Sequence, residues 1–237
     1  MKKLFLSPLF AGLFVIIGLA IYYGASYFFR WRYGVFDIEE IGVTEVLTNV
    51  FYGFAGGVAV CFAADYLHTN RQSTYLTLLF LWFVAMLREM GIQHWLAIND
   101  TTAIKINYFK NANVPLYGKV IAACVIAVVV FAILYLLIKH MKTMVKQFFK
   151  LNPTYWTIAT FGVLGFLTQL ADRLPAKYAK AQGVRLEEPV RFALKIFEEG
   201  GESLLPLLFA IALAQYHFSL RKKTYQTADA PKDIARG

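Results

Sequence analysis

Residues 120–138 read VIAACVIAVVVFAILYLLI, nineteen consecutive positions without a charged side chain. At about 1.5 Å per residue such a run forms a helix about 28 Å long, which matches the roughly 30 Å hydrocarbon core of a bilayer. Lys139, Lys142, Lys146 and Lys150 follow the run, and clusters of basic residues next to an apolar run are typical of the cytoplasmic side of a membrane. The stretch therefore predicts a transmembrane helix.

The composition of the whole chain agrees with this prediction. Apolar residues make up 58% of the 237 positions and charged residues 16%, whereas a soluble domain averages about 45–50% and about 25%. Soluble enzyme folds are excluded by this balance, and the two cysteines and seven prolines exclude disulfide-rich and disordered classes. The chain also lacks the GxSxG, HExxH and GxxxxGK[ST] motifs of serine hydrolases, metalloproteases and P-loop proteins.

Five further apolar runs accompany residues 120–138, so the sequence predicts an all-α integral membrane protein, a bundle of six transmembrane helices within residues 1–223. The first run has 26 residues and exceeds the 7–15 residues of a signal-peptide core, which favours a retained anchor. The six runs are Leu4–Phe29, Thr44–Ala64, Thr74–Leu87, Val120–Ile138, Tyr155–Ala171 and Ser203–Phe218.

Local signals define the ends of the last two spans. Asn152-Pro153 is typical of a helix start, and Pro175 is expected to end the fifth span. Before the sixth span, apolar residues recur with helical spacing opposite a charged stripe, which predicts one amphipathic interfacial helix that Gly200-Gly201 would interrupt. The apolar positions are Val190, Ala193, Leu194 and Phe197.

The distribution of charge predicts the orientation. With six spans both termini lie on one side, which carries twelve basic and three acidic residues, while the opposite side carries twelve of each. The positive-inside rule then places the N and C termini in the cytoplasm of a protein of the cell (inner or plasma) membrane, where anionic lipids would be partners. Nucleic acid is not expected as a partner, and residues 224–237 are predicted to form a disordered, polar cytoplasmic tail.

The acidic residues of the opposite side are expected to form one outward-facing polar cluster. The third run is only 14 residues long before Arg88-Glu89, and the fifth ends near Asp172-Arg173, so these charges would lie inside the bilayer boundary. Charges at such depth must pair, be hydrated or line a cavity. Glu198, Glu199 and Glu202 would gather beside them at the start of the last span.

This cluster supplies the candidate site residues. Glu89, Asp172 and Glu202 are candidates for general acid/base catalysis, whereas Arg88, Lys110 and Arg173 would hold an anionic group of a substrate. His94, Glu198 and Glu202 are candidate ligands of a divalent metal, because carboxylates with an imidazole suit zinc, iron or manganese.

Three classes of function stay open from the sequence. The first is a membrane-embedded enzyme, with or without a bound metal, that acts on a lipid or another amphiphile. The second is a structural or accessory subunit that binds a membrane protein partner. The third is a proton- or cation-coupled transporter that uses Glu89 and Asp172. The alternative to all three is that the charges only pair with one another. Such ion pairs would hold the helix ends in register and have no further function.

Overall fold

The computed structural model describes residues 2–33, 43–65, 72–90 and 106–228, with side chains described in 4–32, 46–65, 72–90 and 108–220. This part of the chain is all-helical and contains no strand. Its helices are α1 (Lys2–Phe5), α2 (Phe10–Tyr33), α3 (Val43–Ala64), α4 (Gln72–Glu89), α5 (Ile106–Lys110), α6 (Leu116–Phe149), α7 (Pro153–Gln182) and α8 (Glu188–Ala228).

Four of the described helices are long and apolar enough to cross a membrane. These segments are Phe10–Arg32, Val46–Ala64, Leu116–Phe149 and Glu188–Leu220. They lie in α2, α3, α6 and α8. The segments in α6 and α8 contain the fourth and sixth predicted runs, whereas those in α2 and α3 begin six and two residues inside the first and second runs. The third and fifth runs are also helical, as α4 and α7, but they do not meet the same criterion of length and apolarity.

The first apolar run is not one continuous helix. Residues 6–9 form turns between α1 and α2, because Pro8 lacks an N–H and the Ser7 side chain accepts a hydrogen bond from Leu9 N. The membrane-competent part therefore begins at Phe10.

The chain divides into two compact units, residues 1–58 with 147–237 and residues 59–146, and each is described by itself. In the first unit α8 packs along α7 and against α2. The buried centre of this packing consists of small and branched apolar side chains, with Phe14, Val15, Leu19, Phe197, Leu205 and Leu207 around it. Its fully packed members are Ala11, Leu164, Leu204 and Leu208.

The predicted break at Gly200-Gly201 is wrong, because α8 runs through both glycines without interruption. A Cβ at Gly200 would lie 2.8 Å from Tyr22 Cδ1, and a Cβ at Gly201 would overlap Thr168 Cγ2. The two glycines thus let α8 approach α2 on one side and α7 on the other. Close packing of this kind outweighs the helix propensity of glycine, which is about 1 kcal/mol less favourable than that of alanine. The residues of the predicted interfacial helix form the first turns of α8, so in this described stretch they are not a separate helix.

The predicted end at Pro175 is also wrong. α7 continues through Pro175 to Gln182 and ends at Gly183, which has the left-handed φ of 69° and donates its backbone N–H to Ala179 O. Residues 176–182 read AKYAKAQ and are good helix formers, so the helix stops where a C-cap glycine is available. The predicted start is confirmed: Asn152 Oδ1 accepts a hydrogen bond from Thr154 N, with Pro153 as the first helical residue.

The second unit holds α4, α5 and most of α6. Tyr108, Val114 and Ala122 form a buried cluster with Phe109 packed against it. The Tyr108 hydroxyl would lie 3.1 Å from a Cβ at Gly118, so a small residue is needed there. At the other end of the chain α8 includes 224–228, the first residues of the predicted tail, and 229–237 lie outside the described residues.

Candidate functional site

The continuous α8 places a charged stripe on one face of the helix. The stripe begins at Lys195, with Glu198 and Glu199 three and four residues further on. Glu202 follows one turn after Glu198. Lys195 Nζ lies 3.5 Å from Glu198 Oε1 and 2.9 Å from Glu199 Oε1, so one ammonium group faces two carboxylates.

α7 adds two polar residues from its neighbouring turns. The Asp172 carboxylate lies close enough to act electrostatically on that of Glu198, and Gln169 Nε2 approaches Glu202 Oε1 at 3.4 Å. We call Gln169, Asp172, Lys195, Glu198, Glu199 and Glu202 the α7–α8 carboxylate cluster. Lys195 thus faces the carboxylates of Glu198 and Glu199, and Asp172 adds a third carboxylate near that of Glu198, so carboxylates outnumber the ammonium group in this cluster.

The cluster's acidic side chains on α8 are only partly accessible. The side chain of Glu198 is 14% exposed and that of Glu199 is 21% exposed, whereas Asp172 on α7 is exposed. Carboxylates in such surroundings interact more strongly with charge than they would in water. The cluster therefore has one exposed carboxylate, that of Asp172, beside the partly desolvated carboxylates of Glu198 and Glu199.

A hydroxyl pair fixes the next turn of α8 to α3. Ser203 Oγ donates to Glu199 O at 2.9 Å and lies 2.6 Å from Thr48 Oγ1. Since the one hydroxyl proton of Ser203 is used by the carbonyl, Thr48 is the donor between the two hydroxyls. The adjacent Asn49 has a buried Oδ1 with no hydrogen-bond partner in the described part of the chain. Thus α3 borders the carboxylate cluster one residue beyond Glu202.

The remaining predicted site residues divide between the units. Arg88 and Glu89 close α4 in the second unit, where Arg88 Nη2 lies 3.6 Å from Glu89 Oε1, and the exposed Lys110 ends α5 in the same unit. Arg173 is exposed on α7 of the first unit, next to Asp172. His94 lies outside the described residues. Of the predicted set, the structure brings together Asp172, Glu198 and Glu202 in the first unit, and Arg88 with Glu89 in the second.

The described residues do not contain a complete set of metal ligands. Glu198 and Glu202 are one turn apart on a continuous helix, but no group of three His, Cys, Asp or Glu side chains that could hold a metal is found in the part of the chain covered by the structure. The third predicted ligand, His94, belongs to the residues that are not described. The chemistry that the described cluster offers is that of carboxylates, an ammonium group and an amide.

A second polar layer, which the sequence analysis did not identify, lies further along α8. Gln215 is fully buried, accepts a hydrogen bond from Thr157 Oγ1 at 2.7 Å and donates to Phe5 O at 2.8 Å. Between Ser203 and Gln215, α8 reads LLPLLFAIALA. This apolar stretch separates the two polar layers by about 18 Å along the helix axis.

Local sequence patterns carry only a weak signal for these additional residues. A single Gln or Thr in an apolar run is compatible with a lipid-facing, a buried or a helix-capping position. Gln215 and Ser203 become informative only through partners more than fifty positions away in the chain. A search for polar residues spaced by whole helical turns from Glu199 would have selected Ser203.

Comparison of the chain with protein-family models, with curated proteins and with solved structures finds no match. The candidate site is therefore interpreted from its own geometry.

Proposed function

We propose that the chain is a six-span protein of the cell (inner or plasma) membrane with both termini in the cytoplasm. The four apolar helices would be four of these spans, and α4 and α7 would be the other two. α4 has 18 residues and would be about 27 Å long, and α7 has 30 residues, so both have the length to cross the hydrocarbon. The basic side that holds the termini would face the anionic lipids of the cytoplasmic leaflet.

We further propose that the α7–α8 carboxylate cluster acts on a lipid or another amphiphile by general acid/base chemistry. The observation that carries this proposal is the partly buried contact of Lys195 Nζ with the carboxylates of Glu198 and Glu199, with the Asp172 carboxylate of α7 near that of Glu198. In such surroundings a carboxylate can accept or return a proton at the reacting group, and its neighbours disfavour the state in which all are charged.

Each residue would have a separate role in this chemistry. Glu198 and Glu202 would face the reacting group, with Asp172 at the exposed entrance. Gln169 would orient Glu202 through its amide. Arg173, beside Asp172, would hold an anionic part of the substrate. Arg88, Glu89 and Lys110 lie in the second unit and have no role assigned in this cluster.

A binding role as an accessory subunit is the second candidate, and a specific observation favours it. Lys195 with Glu198 and Glu199, and Arg88 with Glu89, neutralise charge inside the chain, whereas Asp172 and Arg173 are exposed and could pair with another membrane protein. Transport is less well supported, because the apolar stretch between Ser203 and Gln215 interrupts the polar residues of α8.

The experiment compares lipid turnover by purified variants reconstituted in membrane lipid extract. Glu198→Gln and Asp172→Asn keep the shape of the side chain and remove its charge, and lipid mass spectrometry before and after incubation measures conversion. We expect the wild type to convert a lipid species and both variants to lose at least tenfold in rate. Glu187→Gln, an exposed residue just before α8 that contributes only its backbone carbonyl to the structure described, is the matched control.

Two outcomes would contradict the enzyme proposal. One is that no lipid species changes with the wild type, and the other is that Glu198→Gln behaves like the control. Elemental analysis of the same preparation tests the metal hypothesis. If a co-purifying protein is lost with Arg173→Glu while lipid conversion is absent throughout, the accessory role is the correct one.

A further inference from the structure

A group of hydrogen-bond donors lies where the apolar run of α6 ends, in the second unit. Lys139 Nζ donates to Ser73 Oγ at 2.9 Å and to Tyr135 OH at 2.7 Å, and Tyr135 OH donates to Ser73 Oγ at 2.9 Å. Beside them Thr74 Oγ1 and His140 Nε2 are 3.2 Å apart. These contacts hold the first turn of α4 against α6.

This group has more hydrogen-bond donors than acceptors. The ammonium group of Lys139 has three N–H donors, of which Ser73 and Tyr135 take two. Ser73 Oγ accepts two hydrogen bonds, so its own O–H remains to be donated. Among the described residues no carboxylate is paired with Lys139. Hydrogen-bond donors and a positive charge are therefore available at this position. A ligand that matches them is an anion with several acceptor oxygens.

The position along α6 indicates the level of this group in a bilayer. The uncharged run 120–138 has the length of the hydrocarbon core, so Lys139 is the first residue beyond it, at the level of lipid phosphates. Lys142, one turn further, is exposed as well. The N-terminal end of α4, which begins at Gln72, adds a partial positive charge near Ser73.

Exposed apolar side chains flank the basic ones. Ile138 is 79% exposed and Met141 is also exposed, directly beside Lys139 and Lys142 in sequence. A soluble anion would make no use of these apolar surfaces, whereas a phospholipid would cover them with its acyl chains while its headgroup meets the lysines.

We propose that Ser73, Lys139 and Lys142 bind the phosphate-containing headgroup of an anionic phospholipid. This binding site is built from residues other than those of the carboxylate cluster, and it does not depend on the enzyme proposal. It goes beyond a general attraction of basic residues to a charged leaflet, because Ser73 and Tyr135 hold the Lys139 ammonium group in one position.

The test measures lipids that stay bound to the protein in native mass spectrometry after reconstitution with equal amounts of phosphatidylglycerol and phosphatidylcholine. We expect wild type to retain phosphatidylglycerol in preference. Lys139→Gln should reduce its occupancy by about fivefold, the equivalent of about 1 kcal/mol per lysine at a membrane surface. Lys139→Arg keeps the charge and should retain the lipid.

Lys150→Gln is the matched control, since Lys150 is an exposed lysine eleven residues further along the chain, just after α6 ends. It should change occupancy less than twofold. Equal retention of the two lipids by wild type, or equal losses with Lys139→Gln and Lys150→Gln, would overturn the proposal. So would displacement of the lipid by millimolar inorganic phosphate, which would identify a site for a soluble anion. Ser73→Ala offers a second variant without a change in charge, and retention equal to wild type would also count against the site.

Discussion

Replacing Gly201 by alanine puts a methyl group into the space that Thr168 Cγ2 occupies, with Leu164 Cδ1 3.4 Å away. Thr168 cannot turn aside easily, because it is buried and its hydroxyl is bonded to Gly165 O. Overpacking of this kind costs about 1–3 kcal/mol, and the better helix propensity of alanine returns about 1 kcal/mol. Since Thr168 is buried and held by its hydrogen bond, we take the overpacking cost at the upper end of this range and expect Gly201→Ala to lower the free energy of unfolding by about 2 kcal/mol.

The assay is thermal unfolding in detergent, where this loss corresponds to a decrease in Tm of about 4–8 °C. Gly162→Ala in α7 is the control, because a Cβ at Gly162 would meet nothing within 4 Å and only the gain in helix propensity should appear. Thr168→Ser removes the obstructing methyl group but keeps the hydroxyl, so it should restore the stability of Gly201→Ala. A Gly201→Ala protein as stable as wild type, or a double variant no more stable than the single one, would refute the packing argument.

Three further changes test other parts of the fold by the same unfolding assay. Gln215→Leu leaves the Phe5 carbonyl without its side-chain donor and should cost about 1–3 kcal/mol; an unchanged Tm would contradict the role of this layer. Leu151 has a left-handed φ of 55°, so Leu151→Asn should stabilise by up to about 1 kcal/mol, and a loss would count against it. Glu188→Gln breaks a 2.9 Å ion pair with Arg30 that is open to solvent, and a cost above about 1 kcal/mol would be inconsistent with this exposure.

Signals that act locally predicted much of the first unit. The apolar runs became helices because length and apolarity need no information from the rest of the chain. Asn152 caps α7 because the accepting oxygen and the amide of Thr154 are two residues apart. Glu198 and Glu202 share one face of α8 only because the helix continues through Gly200-Gly201, which the local signals did not predict. The nearness of Asp172 to Glu198 was expected from the order of the helices.

The errors arose where tertiary contacts outweigh local preference. Gly200-Gly201 is a helix breaker in isolation, but here the absence of two Cβ atoms lets α8 fit between Tyr22 and Thr168. Pro175 removes one backbone donor, which a helix of 30 residues tolerates when good helix formers follow. The bond between Thr48 and Ser203 joins residues 155 positions apart, and no local pattern contains it.

The glycine pair and the carboxylate cluster occupy the same two turns of α8, so packing and charge are coupled there. Gly200 and Gly201 lie between Glu199 and Glu202, and any shift of α8 away from Thr168 would move both carboxylates relative to Gln169 and Asp172. A loss of activity in Gly201→Ala would then report geometry, whereas a loss in Glu198→Gln at unchanged stability would report charge. If Thr168→Ser restores both the Tm and the activity of Gly201→Ala, the close approach of α7 and α8 is what holds the carboxylates in position. If it restores the Tm alone, the cluster depends on the backbone at Gly201 itself.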